Sequence, residues 1–438
     1  MTGEDEDHPE TVLEVIFDSD ATLIVGLMLA LYALFLVLGV IAGNPLNGLF
    51  GALQQLTFLV IVYALAVLAL DLHWGYTGLF NIGVAGFMAI GTYSFAMLTS
   101  APSAPVPGLG IPVWIALPIA VFIAAMSGLL AALPAMRLRA DYLAIVTIGL
   151  SEIIRYTFLT TRFQTFTLFT RVGFIPEVQL GTGGARGIAV AQADEFLVTG
   201  NPIVEPIYDV FLSVLTPFGI VQSNVQEFVY VLVLLVVLGG FYVFVNRTTA
   251  SPFGRVLKAI REDEDATRAL GKDTQLFKIK IFLVGCGLMG LVGILWQGRL
   301  GFVEPNSFRP RVTFFIFIAL IVGGPGSTTG SILGSAFFVG FLFRGPIIVS
   351  SIVSNQVDIQ SAPPTIAGAV GDLFAGDIVP LIAYVIGATS ALRLVLMGFV
   401  LILFMKYRPD GLLGHRKITA SSIDVTGSRP DTGGDSNE

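Results

Sequence analysis

Apolar residues run along this chain in long blocks, and polar residues collect between them. A helix needs about 20 predominantly apolar residues to cross a bilayer. Blocks of that kind predict ten spans: Thr22–Ala42, Leu56–Leu72, Gly78–Leu98, Ile111–Ala135, Tyr142–Leu159, Phe228–Val245, Ile279–Gln297, Val312–Gly323, Ser331–Val349 and Ile386–Lys406. The eighth is short and runs into the glycine-rich turn Gly323–Gly330, so a tilted or broken helix set against protein is expected there. The fold class is all-α, a polytopic transmembrane helical bundle.

Composition agrees. Of 438 residues, 54% are hydrophobic and only 13% charged, against about 25% charged in a soluble domain. The net charge of -7 is concentrated at the two ends. Glu4, Asp5, Glu6 and Glu10 make 1–21 an acidic, disordered tail, and 415–438 reads as a second. No basic face suggests nucleic acid. Cys286, the single cysteine, excludes an internal disulfide and reads as a packing residue. His8, His73 and His415 are too far apart in sequence to suggest a metal cluster. The first apolar run is too long for a signal peptide and follows an acidic leader.

Lysine and arginine crowd three loops: Arg137 with Arg139, Arg247 through Lys280, and Lys406 through Lys417. Ten spans place all three on one side with both termini, which should be the cytoplasmic side. The uncharged loops Gly43–Gln55 and Ser100–Gly110 then fall outside. Arg299, Arg309 and Arg311 fall outside too, against the trend. The permease domain is thus 22–414, with a long external loop at 160–226 and an external insertion at 350–379.

The densest charge between two spans lies at 251–272, SPFGRVLKAIREDEDATRALGK. Ser251 and Pro252 predict a helix start, and Gly271 its end. Phe253, Leu257, Ile260 and Leu270 offer an apolar stripe. Arg255, Lys258, Arg261, Glu262, Asp263, Glu264 and Asp265 are expected in solvent. On composition alone this is an ordinary charged loop. Its residue order closely resembles the coupling segment of ABC permeases of the branched-chain amino acid uptake family, matching at Ser251, Gly254, Arg255, Ala259, Ile260, Arg261, Glu262, Asp263, Ala266 and Gly271. Gly75–Tyr93, Arg137–Arg155, Thr182–Ile188, Gly301–Phe308 and Arg393–Gly414 resemble the same family.

That resemblance implies a helix seated in a cleft of an ATP-binding subunit. It also implies two such subunits, a second, related permease in a heterodimer, and an extracytoplasmic binding protein. ATP and magnesium would bind to the partners, and this chain would hold no cofactor. The sequence contains no phosphate-binding G-x-x-x-x-G-K-[ST] loop of its own.

Candidates for the translocation path lie in two predicted spans. In the third, glycine recurs at 78, 83, 86 and 91, around Asn81 and Tyr93; close packing and a polar path both fit. Val84 stands where the family often has a polar residue. In the fifth, Glu152 and Arg155 share a helix face. A charge at the bilayer centre costs about 2.5–3.5 kcal/mol, so the two should pair, with contact to a zwitterionic amino acid as the second reading. The glycines at 285, 287, 290 and 293 are assigned to packing. An ion-coupled carrier would need intramembrane carboxylates, for which Glu152 is the candidate. A membrane enzyme has no nucleophile–base pair, and no catalytic residue is assigned. Within the family the cargo is leucine, isoleucine and valine, or else urea, amides or other amino acids.

Overall fold

The computed structural model describes residues 20–135, 140–169, 178–354, 363 and 365–413. Arg137, Arg139, His8, His415 and almost all of both tails lie outside them. Among the described residues, nine helices are long and apolar enough to cross a membrane, and Val84–Thr99 is a shorter tenth. The bundle read from the apolar blocks is therefore present.

The membrane helices begin with α1 (Asp20–Ile41), α2 (Leu46–His73), α3 (Val84–Thr99), α4 (Val113–Ala135) and α5 (Ala140–Leu159). Strands β1 (Phe166–Phe169), β2 (Val178–Leu180) and β3 (Ile188–Ala189) and helix α6 (Glu205–Leu215) follow, leading to α7 (Gln222–Ala250). Two short helices, α8 (Pro252–Glu262) and α9 (Glu264–Ala269), precede α10 (Thr274–Gly298), strand β4 (Phe302–Val303) and α11 (Pro310–Gly323). The next rod is α12 (Thr328–Phe337), a π turn over Phe338–Arg344 and α13 (Gly345–Ser354). Helices α14 (Ile366–Phe374), α15 (Val379–Gly387) and α16 (Thr389–Tyr407) complete the described chain.

α2 is the axis. Its most apolar stretch is wholly buried, and α7, α10, α11 and α12 pack around it. α10 in turn meets α3 and α4, where Gly91 faces the backbone of Gly290. Small residues at this crossing bring two helices together without side chains between them. The packing reading therefore holds for Gly91 and Gly290.

Several boundaries differ from the pattern-based expectation. The third span begins six residues later than Gly78, because residues 78–83 are not helical. The resulting α3 has 16 residues, about 24 Å, shorter than a bilayer core. The described residues of the 350–379 insertion are largely helical rather than loop: α13 continues to Ser354, apolar α14 follows, and α15 starts at Val379. α1 begins at Asp20, inside the expected tail. The described residues of the 160–226 loop are folded too. Thr182 accepts from the Gly184 amide and donates to the Phe158 and Phe163 carbonyls, fixing TGGARGI to the end of α5. β3 then pairs antiparallel with β4 through Ile188 and Val303.

Candidate functional site

Two regions carry polar chemistry inside the bundle. The first is the end that holds α8 and α9, here called the near end. Ser251 caps α8 by accepting the Gly254 amide, with Pro252 at the first turn, and Gly271 takes φ +79. Those three assignments hold. The single helix does not: Asp263 leaves helical geometry at φ −154 and accepts the Ala266 amide, ending α8 and capping α9. An aspartate that can satisfy a fresh helix start competes with its own helix interior.

α8 docks on the bundle through Gly254, Leu257, Lys258 and Ile260, which are buried, while Ala259 is half-buried. Gly254 sits against the Thr248 and Thr249 carbonyls, where a side chain has no room. Phe253 stacks on Phe277 at 5.2 Å between ring centroids. Lys258 is a correction: it is buried, its ammonium lying 5.8 Å from the Tyr76 ring centre. Burial, then the nearby Arg261 charge, lowers its pKa. Leu270 is the opposite correction, 81% exposed rather than part of the docked stripe. The break at Asp263 turns α9 away from that stripe. Arg255, Glu262 and Asp263 are exposed, as expected. Glu264 is not free in solvent. It accepts from Lys278 Nζ at 2.8 Å and from Thr274 and Arg268. Burial raises its pKa, but those partners outweigh it and the carboxyl lies below its ordinary value.

Arg261 reaches from α8 into the bundle. Its Nη1 donates to the Gly75 carbonyl, and its stem lies against Gly78. Gly75 begins the turn after α2, where Asp71 Oδ1 accepts the Gly326 amide at 2.7 Å and Oδ2 accepts the Ser331 hydroxyl at 3.2 Å. Tyr76 and Thr328 hydroxyls meet at 2.9 Å. The turns at Gly75–Gly78 and Gly323–Gly330, both glycine-rich in the sequence, are therefore docked on each other. The chain beyond α16 closes the same end: Leu412 N donates to the Val322 carbonyl at 2.9 Å, and Gly324 abuts Asp410 and Gly411. Two of the three basic loops thus share one end.

The unwound strand 79–83 is held by a buried chain of hydrogen bonds. Asn81 Oδ1 accepts the Gly83 amide, and its Nδ2 donates to His73 Nδ1 at 3.1 Å. His73 is then the Nε2–H tautomer and donates to the Phe282 carbonyl at 3.2 Å. Asn81 is thus fully buried and occupied in fixing this segment. Asp71 and His73 were not among the sequence candidates. They sit at the end of an apolar block, where a polar residue reads as the start of a loop.

The second region is the wall between α3 and α5. The Ile82 amide donates to Thr147 Oγ1 at 2.9 Å, and the Ala85 amide donates to Thr313 Oγ1 at 3.0 Å, so the start of α3 meets the middle of α5 and the start of α11. Gly83 and Gly86 face Thr147 and Ser151; a methyl at Gly86 would lie 2.8 Å from the Ser151 Cα. Ser151, Arg155 and Phe158 follow at i, i+4 and i+7 on one face. Arg155 grips Glu152 through Nε at 3.0 Å and Nη2 at 2.7 Å, and Nη1 donates to Asn306 at 3.2 Å. The expected ion pair exists. Tyr93 packs against Phe158 in a tilted pair, 4.3 Å between centroids. The Tyr93 and Ser151 hydroxyls are buried with no partner among the described residues. Outside this wall α5 shows an uncovered stripe, Tyr142, Ile145, Gly149, Ile153 and Tyr156, and Glu152 stands half-exposed at its edge. No cluster of metal-ligating side chains occurs among the described residues.

Comparison with known proteins is consistent with this arrangement. A family model described as branched-chain amino acid transport system / permease component matches residues 52–405. The high-affinity branched-chain amino acid transport system permease protein LivM of Escherichia coli K12 is 35% identical over 64% of this chain and 60% of its own length. Its Salmonella typhimurium counterpart is 34% identical with the same coverage of both chains. A probable branched-chain amino acid transport permease protein LivM of Methanocaldococcus jannaschii is 24% identical over 82% of this chain and 92% of its own. The chain therefore spans about 60% of the length of the two bacterial relatives. No solved structure matches. With more than three-quarters of its residues under one family model, this chain belongs to the branched-chain amino acid transport system permease family.

Proposed function

We propose that the chain is the membrane subunit of an ABC importer, and that α8 and α9 are where separate ATP-binding subunits push on it. The observation that carries this reading is the Arg261 contact. One side chain links an exposed, charged helix pair to the turn at the foot of the buried axis α2. Movement of α8 by a partner is then a pull on Gly75, and through Asp71 on the start of α12. Packed interfaces of this kind switch between discrete arrangements rather than bending. Arg255, Glu262, Asp263 and the protruding Leu270 supply the surface offered to the partner. ATP and magnesium belong to that partner.

The cargo on this reading is a branched-chain amino acid, received from an extracytoplasmic binding protein at the end opposite α8. The near end and both termini are cytoplasmic. The uncovered stripe of α5 faces a related second permease, with the path between them. A half-exposed glutamate at bilayer depth fits a wet path better than lipid. The Glu152–Arg155 pair offers one charge to each end of a zwitterion, and the unpaired Tyr93 and Ser151 hydroxyls lie along the same wall. Asp71 is a second intramembrane carboxylate, as an ion-coupled carrier would need. It is fully enclosed and accepts two hydrogen bonds, which supports fastening rather than ion passage.

The test is uptake of labelled leucine by proteoliposomes holding this chain, its neighbouring permease and ATPases, and a loaded binding protein. Uptake should require ATP inside and survive collapse of proton and sodium gradients. Uptake driven by a gradient without ATPases would reject the importer reading.

A further inference from the structure

α6, the helix that leads into α7, turns a different face to each of three surroundings. Tyr208, Phe211, Leu212 and Leu215 pack on the bundle. Glu205, Asp209 and Ser213, four residues apart, are exposed and polar. Ile207, Val210 and Val214 make a third row that is apolar and yet 48%, 61% and 52% exposed. At 3.6 residues per turn the three rows lie roughly 120° apart. Contacts with α7 mark the depth of this helix. α7 has 29 residues, about 43 Å against a bilayer core of about 30 Å, so its first turn stands clear of the hydrocarbon. The Tyr208 hydroxyl accepts from Gln222 in that polar first turn at 3.0 Å. The Phe211 ring meets Phe228, where the apolar run of α7 begins, at 5.2 Å between centroids. Asn47, at the start of α2, accepts from the Val221 amide at 3.2 Å and from Asn224 at 2.8 Å on the same level. α6 therefore lies where polar helix ends give way to apolar spans.

We propose that α6 is an interfacial helix: Ile207, Val210 and Val214 rest among lipid acyl chains at the end opposite α8, and Glu205, Asp209 and Ser213 face water. A helix that shows one apolar and one polar face to its surroundings settles in the plane of the membrane boundary. Lipid is the occupant that the neighbouring structure favours. α7 is mostly uncovered along its most apolar stretch, so the bilayer borders the element on which α6 packs. The turn between them keeps Phe218 and Val221 exposed and carries the apolar surface from one helix to the other. A soluble partner approaches from the water side, where α6 shows carboxylates instead. No lysine or arginine occurs between Arg186 and Arg247, so attachment rests on apolar area and not on headgroup charge. Through Tyr208 and Phe211 the boundary then holds this end of α7 in register with the bilayer.

The orientation proposed above serves only to name this leaflet as the outer one. Lipid contact is read without ATPases and whichever way the chain faces, so the two readings fail separately. The experiment places a nitroxide on the full-length chain in proteoliposomes through Ile207→Cys, Val210→Cys, Val214→Cys, Asp209→Cys or Ser213→Cys. Cys286 is fully buried, and the wild-type chain treated alike supplies the background. Labels at 207, 210 and 214 should collide with membrane-soluble oxygen several-fold more than with a water-soluble nickel chelate, and labels at 209 and 213 the reverse. The pattern should be the same in vesicles of phosphatidylcholine alone and in vesicles containing phosphatidylglycerol. All five sites are exposed and each row is read at more than one position, so loss of a single variant leaves the test intact. Free access of the chelate to 207, 210 and 214 would overturn the proposal. So would shielding of those sites only after a binding protein is added, which makes the row a protein-docking surface. Shielding of both rows from both reagents assigns α6 to a contact between chains, and lipid contact confined to anionic vesicles assigns it to headgroup recognition; either result also rejects the proposal.

Discussion

The near-end joint and the α3–α5 wall are both polar places inside an apolar bundle, and they are built in opposite ways. At the joint, both Asp71 oxygens accept hydrogen bonds, the Gly75 carbonyl is taken by Arg261, and side chains are excluded by close backbone. At the wall, two buried hydroxyls lack partners among the described residues and an ion pair stands at the edge of an uncovered face. A satisfied, glycine-locked knot moves as a unit. A wall with spare donors can exchange partners as something passes. On the proposed reading, the contrast separates transmission from passage within one chain.

Substitutions can break that contrast. The largest effect is expected at Gly75→Ala, whose added methyl would fall on Asp71 and the Gly326 amide. Overpacking there should cost about 3 kcal/mol or more, read as a lower melting temperature and reduced membrane yield. Asp71→Ala should cost about 2–4 kcal/mol, because it leaves a buried amide and a hydroxyl without an acceptor; melting by intrinsic fluorescence measures it. Arg261→Ala leaves the buried face of α8 intact. It should preserve folding and lower leucine uptake per ATP hydrolysed by about tenfold, the worth of a charge-assisted hydrogen bond. Unchanged coupling would move the joint elsewhere.

At the wall, exchanging Glu152 and Arg155 tests passage against structure. The exchanged pair can still form at i, i+3 but loses Asn306. Melting should change little while uptake falls about tenfold; intact uptake would make the pair purely structural. The smallest effect belongs to Glu264. Its lowered pKa means that its contribution is full at neutral pH, where the carboxylate is charged in both folded and unfolded chains. It fades as pH falls through and below the ordinary carboxylate range. Glu264→Gln should remove that acid-side slope and cost less than about 1 kcal/mol at pH 7, since the site is a third exposed.

What the sequence revealed follows the range of the forces involved. Apolar blocks, the Ser251–Pro252 start and the Gly271 stop are local signals, and they stand. Asp263 looked like one more solvated charge; its capping role depends on a neighbouring segment choosing a new direction. Lys258 is buried because α8 docks beside Tyr76 and Phe277, distant in sequence, and Leu270 is exposed because the break at Asp263 redirects the chain. The Glu152–Arg155 pair was legible from spacing alone. Its Asn306 partner was not, being 151 residues away. Asp71 and His73 were hidden for the same reason: their partners at Gly326 and Phe282 are 255 and 209 residues further on.

Those long separations set an order of assembly. Until residue 326 has been synthesised and inserted, Asp71 has no main-chain donor there, and until 411 follows, Gly324 lacks its neighbour. A ribosome stalled after α10 would release a chain whose first spans can pack but whose foot stays unfastened. On the proposed reading, α8 can therefore pass force to the bundle only once residues 326 and 411 are in place, so shorter products would not spend ATP without transport.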